Sequence, residues 1–187
     1  MDPLRTLVEP LDANDPATAA HGRAVAYWCS LIAGQLRLDR DEHNWIVHSA
    51  QLHDVGKLCV PRDLLRAPRA LRPAERALVA QHVIEGERLL ADYGLLVYRD
   101  AVRNHHERFD GRGYPDGLRA DRIPLVARIV AVADAYDAMT GQRPYRFPMT
   151  PDQALLEIER SRGTQFDPAV VEVMLAVVGS AIRPVAV

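Results

Sequence analysis

Apolar residues in this chain recur at helical spacing and almost never alternate, which leaves little room for a sheet and predicts an all-α fold. Between Ala17 and Leu38 the residues Ala20, Ala24, Tyr27, Trp28, Leu31, Ile32 and Leu36 mark one face of a helix, with His21 near its start. Short acidic residues at Asp39 and Asp41 suit the first turn of a second helix, which runs through Trp45, Ile46 and Ala50 to Leu52 and His53 before Gly56 ends it. Pro61, Pro68 and Pro73 punctuate a connection, and the stretch from Pro73 to about Leu90 reads as one helix with His82 inside it. A further helix precedes or includes His105 and His106. It must stop before residues 110–117, Asp-Gly-Arg-Gly-Tyr-Pro-Asp-Gly, because those glycines and the proline interrupt any regular element. Pro124 opens a helix that carries Asp134 and Asp137 to Gly141, and Pro151 to Ser161 and Pro168 to Gly179 complete the set.

With 187 residues and 48% hydrophobic content the chain can bury one core, so residues 17–187 are expected to form a single domain, preceded by an extension at residues 1–16. The formal net charge of −2 argues against a broad basic surface for large nucleic acids, though a small anionic ligand needs only a local cluster. Cys29 and Cys59 form no CxxC pair and read as reduced, structural thiols. The first residues lack the basic start and apolar stretch of a secretory leader, and the most apolar segments, 125–135 and 170–182, contain Arg128, Asp134 and Glu172. A cytoplasmic protein without a membrane partner is expected, with no sensor or receiver domain ahead of His21.

The chemistry lies in the histidines and aspartates. His53-Asp54, an adjacent imidazole and carboxylate near a helix end, means little alone. His21, His82, His105, His106 and Asp134 also fall in or beside predicted helices, and the neighbouring His105 and His106 stand just before a glycine loop, where packing gives them no purpose. Imidazole with carboxylate suits Fe, Mn, Ni or Zn, whereas Mg or Ca favours more oxygen, and the ligands are too many for one ion. His43 and His48 read as ordinary helix histidines.

The chain resembles the HD-GYP family, a subgroup of the HD-domain metal-dependent phosphohydrolases. The matching blocks are residues 52–57 (Leu-His-Asp-Val-Gly-Lys), 82–86 (His-Val-Ile-Glu-Gly) and 105–115 (His-His-Glu-Arg-Phe-Asp-Gly-Arg-Gly-Tyr-Pro). They continue with 132–140, with Arg143-Pro144-Tyr145-Arg146 and with Phe166-Asp167-Pro168, so the match runs in order from about His21 to the C-terminus. The resemblance implies an HD-domain helical bundle with a glycine-rich GYP loop. It implies one metal ion on His21, His53, Asp54 and Asp134 and a second on Asp54, His82, His105 and His106, with Asp54 bridging. Two divalent ions, iron or manganese ahead of nickel or zinc, would activate a shared water for in-line attack on a phosphodiester. Lys57 resembles the family lysine that reaches the scissile phosphate, and it joins Asp54 in the catalytic set. Arg143 and Arg146 resemble the cations beside the phosphates, and Tyr114 is a candidate substrate contact or partner-docking residue. Glu107, Asp110 and Asp137 are expected to orient the histidines or fix the loop.

The sequence departs from the family pattern at Ala17, where some members carry a glutamate that helps build a third metal site, and at Ala24, where many carry an arginine. Asp12 and Asp15 are out of register to replace that glutamate, so two ions are expected. The implied activity is hydrolysis of cyclic di-GMP to the linear dinucleotide pGpG and onward to GMP. A different cyclic dinucleotide or nucleotide remains open as substrate, as does a docking role in which the GYP loop binds a diguanylate cyclase with little turnover.

Overall fold

The computed structural model describes residues 3–142 and 147–182. Its helices are α1 (Pro3–Asn14), α2 (Pro16–Gln35), α3 (Arg40–Leu52), α4 (Arg62–Leu65), α5 (Pro73–Ala80), α6 (His82–Asp92), α7 (Arg99–Asn104), α8 (Leu125–Thr140), α9 (Pro151–Arg160) and α10 (Pro168–Ile182). Short 3-10 turns at Val55–Cys59, Leu96–Tyr98 and Ala120–Arg122 link them. Among the described residues, extended pairing is limited to an isolated bridge between Arg162 and Phe166, so the fold is all-α as the periodicity predicts. None of the described helices is long and apolar enough to cross a membrane.

Local signals set the helix starts. Asp15 precedes Pro16, and its carboxylate accepts from the backbone N–H (3.4 Å) and hydroxyl (2.7 Å) of Thr18, satisfying a donor at the head of α2. Asp39 and Glu42 form a capping box on α3, and Thr150 with Gln153 forms another on α9. Helix α2 stops at Gln35, short of the expected Leu38, and Arg37 comes next in the left-handed region at φ 55°. Helix α10 runs to Ile182, beyond the expected Gly179.

The stretch from Pro73 to Leu90, expected as one helix, is divided into α5 and α6 at Gln81. His82 sits at the break. Its Nδ1 donates to the Val79 carbonyl at 2.8 Å, a side-chain bond that competes with the regular helical ladder and turns the imidazole into the protein. Helix propensity is continuous across this region and carries no trace of the interruption.

Two hydrophobic clusters hold the bundle together. The larger gathers Val25, Ile32, Ile46, Val130, Ala133, Ile158 and Met174 from α2, α3, α8, α9 and α10. The smaller gathers Leu7, Leu52, Val55, Leu90 and Val102 from α1, α3, the Val55–Cys59 turn, α6 and α7. The residues expected as an N-terminal extension thus include a helix, α1, whose Leu7 and Leu11 are buried. Both clusters draw on α3, and His53 and Asp54 stand at the end of that helix.

Helix α6 lies directly on the Val55–Cys59 turn. A Cβ at Gly56 would collide with the His82 carbonyl and come within 2.5 Å of the Gly86 nitrogen, so only glycine lets the two backbones meet. This approach brings His82 to Asp54. Gly56→Ala is therefore expected to cost about 3 kcal/mol or more of stability, the upper range for overpacking, because the obstruction is backbone that cannot rotate away. Chemical denaturation of the two proteins checks it.

Candidate metal centre

Asp54 lies at the middle of the site, fully enclosed, with histidines from four directions. His53 is its chain neighbour at the end of α3, His82 heads α6, His105 and His106 come directly after α7, and His21 comes from the first turns of α2. Among the described residues, two groups have ligand atoms that all lie within 4.8 Å of one another, one made by Asp54, His82, His105 and His106 and the other by His21, His53 and Asp54. Asp54 belongs to both.

The imidazoles are aimed by the backbone. His53 Nδ1 donates to the Ala50 carbonyl at 2.7 Å, His82 Nδ1 to Val79 at 2.8 Å, and His105 Nδ1 to Ala101 and Val102 at 3.0 and 3.1 Å. A carbonyl can only accept, so in each ring the proton is on Nδ1 and Nε2 presents a lone pair. Those lone pairs converge. His82 Nε2 is 3.4 Å from His105 Nε2 and 3.3 Å from Asp54 Oδ1, and His53 Nε2 is 3.3 Å from Asp54 Oδ2. His53 Nε2 and Asp54 Oδ1 are buried without a hydrogen-bond donor.

Such an arrangement of acceptors facing acceptors is unfavourable alone and becomes favourable around a cation. Burial, together with the neighbouring imidazoles His106 and His53, pushes the His105 pKa well below its ordinary value, so His105 stays neutral. Burial and His82 lower His106 to about 4. Asp54 moves the other way. Burial alone would raise its pKa, but the Lys57 ammonium beside it holds it well below the carboxylate range. Neutral imidazoles and an ionised carboxylate are the protonation states metal binding needs, and the residues present fit a divalent ion.

His21 differs from the other rings because both of its nitrogens face carboxylates, Nε2 to Asp134 at 2.9 Å and Nδ1 to Asp137 at 2.6 Å. Asp134, on α8, therefore joins the cluster through His21, and Asp137, one turn further on, orients that ring. Lys57 Nζ donates to Asp54 Oδ2 and is partly exposed at the mouth of the site.

The GYP loop closes the other side. Tyr114 stacks on His106 with ring centroids 4.9 Å apart and planes at 27°, and the residue as a whole is 37% exposed. Burial and the charges of Asp54 and Asp134 push its phenol up to about 12, so it remains a neutral hydrogen-bonding group. Buried Glu107 holds the loop in this pose by accepting from the backbone N–H groups of Asp116 at 2.7 Å and Leu118 at 3.1 Å. Arg103 grips Asp116 from outside with two bonds of 2.7 and 2.8 Å. Asp110 accepts from the Arg108 guanidinium and the Arg112 backbone, so it fixes the loop as expected. A Cβ at Gly113 would come within 2.5 Å of the Glu107 backbone, which is why the loop needs glycine there.

The structure thus brings together His21, His53, Asp54, Lys57, His82, His105, His106, Tyr114 and Asp134, while Arg143 and Arg146 lie outside the described residues. His43 bonds Ser30 Oγ at 2.8 Å and His48 packs against Tyr98, both away from the cluster. Sequence reasoning missed the cavity wall next to Lys57, to which Pro10, Asp15, Arg62 and Leu65 contribute. No local signal marks it, since it is made by segments that meet only after folding.

The HD-domain family profile matches residues 5–170. The chain is 40% identical over 161 residues to a 3'3'-cGAMP-specific phosphodiesterase 3 of Vibrio cholerae, covering 84% of this chain and 35% of that protein. It is 39% identical over 179 residues to the cyclic di-GMP phosphodiesterase response regulator RpfG of Xanthomonas campestris pv. campestris, covering 92% of this chain and 46% of that one. Among solved structures it is similar to Bd1817, an HDG"Y"P protein of Bdellovibrio bacteriovorus, with a TM-score of 0.71 at 21% identity over 88% of this chain and 53% of the other. The chain belongs to the HD-domain family, in its HD-GYP group. It spans between about a third and a half of the length of the two curated relatives.

One consequence of the His21 geometry appears without metal. Burial works to lower its pKa, but Asp134 and Asp137 outweigh burial and raise it from 6.5 to about 9. The folded chain then holds a proton more tightly than the unfolded one, so this stabilisation is fully present below about pH 6.5 and is lost as pH rises through about 9. In metal-free protein the advantage of wild type over His21→Gln is expected to shrink across that window in urea unfolding. A constant difference from pH 6 to pH 9.5 would contradict it.

Proposed function

We propose that this chain is a metal-dependent phosphodiesterase that opens a cyclic dinucleotide, with cyclic di-GMP as substrate and pGpG as first product. The observation that carries the reading is the convergence of backbone-aimed Nε2 atoms on the buried, ionised Asp54, those of His82 and His105 on Oδ1 at 3.3 and 3.9 Å and that of His53 on Oδ2 at 3.3 Å. One ion would be held by His21, His53, Asp54 and Asp134, the other by Asp54, His82, His105 and His106. Iron or manganese suits this donor set better than magnesium or calcium. Bound there, a pair of divalent ions supplies an activated water and neutralises charge on the phosphoryl oxygens.

The chain's own residues do the rest. Lys57, anchored on Asp54, directs its ammonium toward a phosphate at the centre, where it stabilises charge on the phosphoryl oxygens or protonates the leaving sugar oxygen. Tyr114 offers a neutral phenol and an exposed ring face beside His106 for a base or ribose. Arg143 and Arg146 are proposed to grip the flanking phosphate. The names of the relatives support a cyclic dinucleotide as the class, and the 40% identity to a 3'3'-cGAMP-specific enzyme supports the mixed guanine–adenine ring as a second substrate. The exposed face of Tyr114 also leaves the GYP loop available to a protein partner.

Of the acids nearest Ala17, Asp12 pairs with Arg23, and Asp15 caps α2 through Thr18 and lines the cavity beside Lys57, which supports two ions rather than three. Metal analysis is expected to give about two ions per chain, with Ala17→Glu raising the count. With fewer cations to hold a terminal phosphate, pGpG is expected to accumulate before GMP appears.

The test is a metal-loaded, anaerobic assay with cyclic di-GMP. His53→Ala and Asp54→Ala should lose both metal and turnover. Lys57→Met should keep its metal while kcat falls by about 10²–10³-fold, the usual effect of deleting one group that stabilises transition-state charge. Folded, metal-replete wild-type protein that turns over no cyclic dinucleotide would sink the reading.

A further inference from the structure

Lys57 also lines a cavity of about 290 Å³ whose walls come from the start of the chain, from the Val55–Cys59 turn and from the segment after it. Pro10, Leu58, Val60 and Leu65 make its apolar surface, Asp15, Arg62 and Lys57 are its charged lining residues, and Lys57 also donates to Asp54 of the metal cluster. We propose that this cavity receives one guanine base of the substrate and that Asp15 selects guanine over adenine. The inference rests on the reading of the cluster as a phosphodiester-cleaving site.

The volume lies at the small end of ligand-binding cavities, suited to one ring system rather than a whole dinucleotide, and aliphatic side chains can pack on the faces of a purine. Position is set by Lys57, which lines the cavity while donating to Asp54, so a nucleotide whose phosphate is at the cluster has its base within reach of this space. The lining chemistry then separates the purines. A carboxylate can accept from N1–H and the N2 amino group of guanine together, whereas adenine offers its N1 lone pair at that edge and repels it. A guanidinium in the same wall complements the O6 and N7 acceptors of guanine and meets the N6 amino group of adenine unfavourably.

Asp15 is already oriented for this task. Its two oxygens accept one bond each from the Thr18 backbone and hydroxyl, which fixes the carboxylate and leaves each oxygen a further lone pair. Cyclic di-GMP and 3'3'-cGAMP both carry a guanine for the cavity, and a diadenine ring carries none. With the mixed ring, seating guanine here determines which of its two phosphodiesters reaches the cluster. Water adds across that bond, the ribose 3' oxygen leaves with the proton, and one linear isomer predominates.

The experiment measures binding of GMP and AMP to the manganese-loaded full chain by isothermal titration calorimetry, which requires no turnover. GMP is expected to bind about tenfold or more tighter than AMP, the discrimination one bidentate base contact provides. Asp15→Asn, which keeps a good helix cap while removing the paired acceptors, should bring the ratio to about one. Leu65→Trp, which fills the cavity from another wall, should weaken GMP toward AMP, with circular dichroism reporting the fold of both variants. Equal binding of the two nucleotides by wild type overturns the proposal, as does selectivity that survives in both variants or an even mixture of linear isomers from 3'3'-cGAMP. Selective GMP binding without hydrolysis of any cyclic dinucleotide would leave the guanine cavity standing and remove the catalytic reading instead.

Discussion

The structure depends on how a buried carboxylate is surrounded. Asp54 sits out of reach of water, and the imidazoles of His53, His82 and His105 turn lone pairs rather than N–H groups toward it because their Nδ1 protons are held by backbone carbonyls. In a low-dielectric interior an ionised group surrounded by acceptors is costly. Lys57 offsets part of that cost from the open side, which is why Asp54 remains ionised despite burial. A cation satisfies the remainder, so the polar interior and the capacity for metal are one feature seen from two sides.

The helical scaffold is organised around that need. Each residue of the cluster sits at or near the start or finish of a helix, or in the case of Asp134 on the long α8, where a side chain can leave its own element and meet others. The two hydrophobic clusters fix those helices, and the close contact between Gly56 and α6 holds His82 beside Asp54. Packing density does the positioning, since a core that tolerates little change in volume also tolerates little drift of the groups it carries.

Much of this is legible in the sequence, for reasons that differ by residue. The all-α fold comes from periodicity, and the cluster comes from ordered motif blocks whose histidines have no packing purpose. The roles of Asp137 and Glu107 are readable only as a class, orienting or loop-fixing; their particular partners, His21 Nδ1 and the Asp116 and Leu118 amides, are properties of the folded chain. The break at Gln81 is not legible, because local propensity favours one helix and a single side-chain bond from His82 to Val79 decides against it. The spacing of Asp15 from His21 puts it out of register for metal, which is silent about the cavity, since Pro10, Asp15 and Leu65 become neighbours only in three dimensions.

The bonds that aim the rings have a bearing on how the protein matures. They run to main-chain oxygens of the same or the preceding helix turn, at spacings of three or four residues, and exist as soon as the helix ends do. In small zinc modules the ion itself drives folding. Here the direction of these three rings is set by main-chain bonds within their own helix ends, so an ion that binds meets nitrogens whose aim does not depend on it.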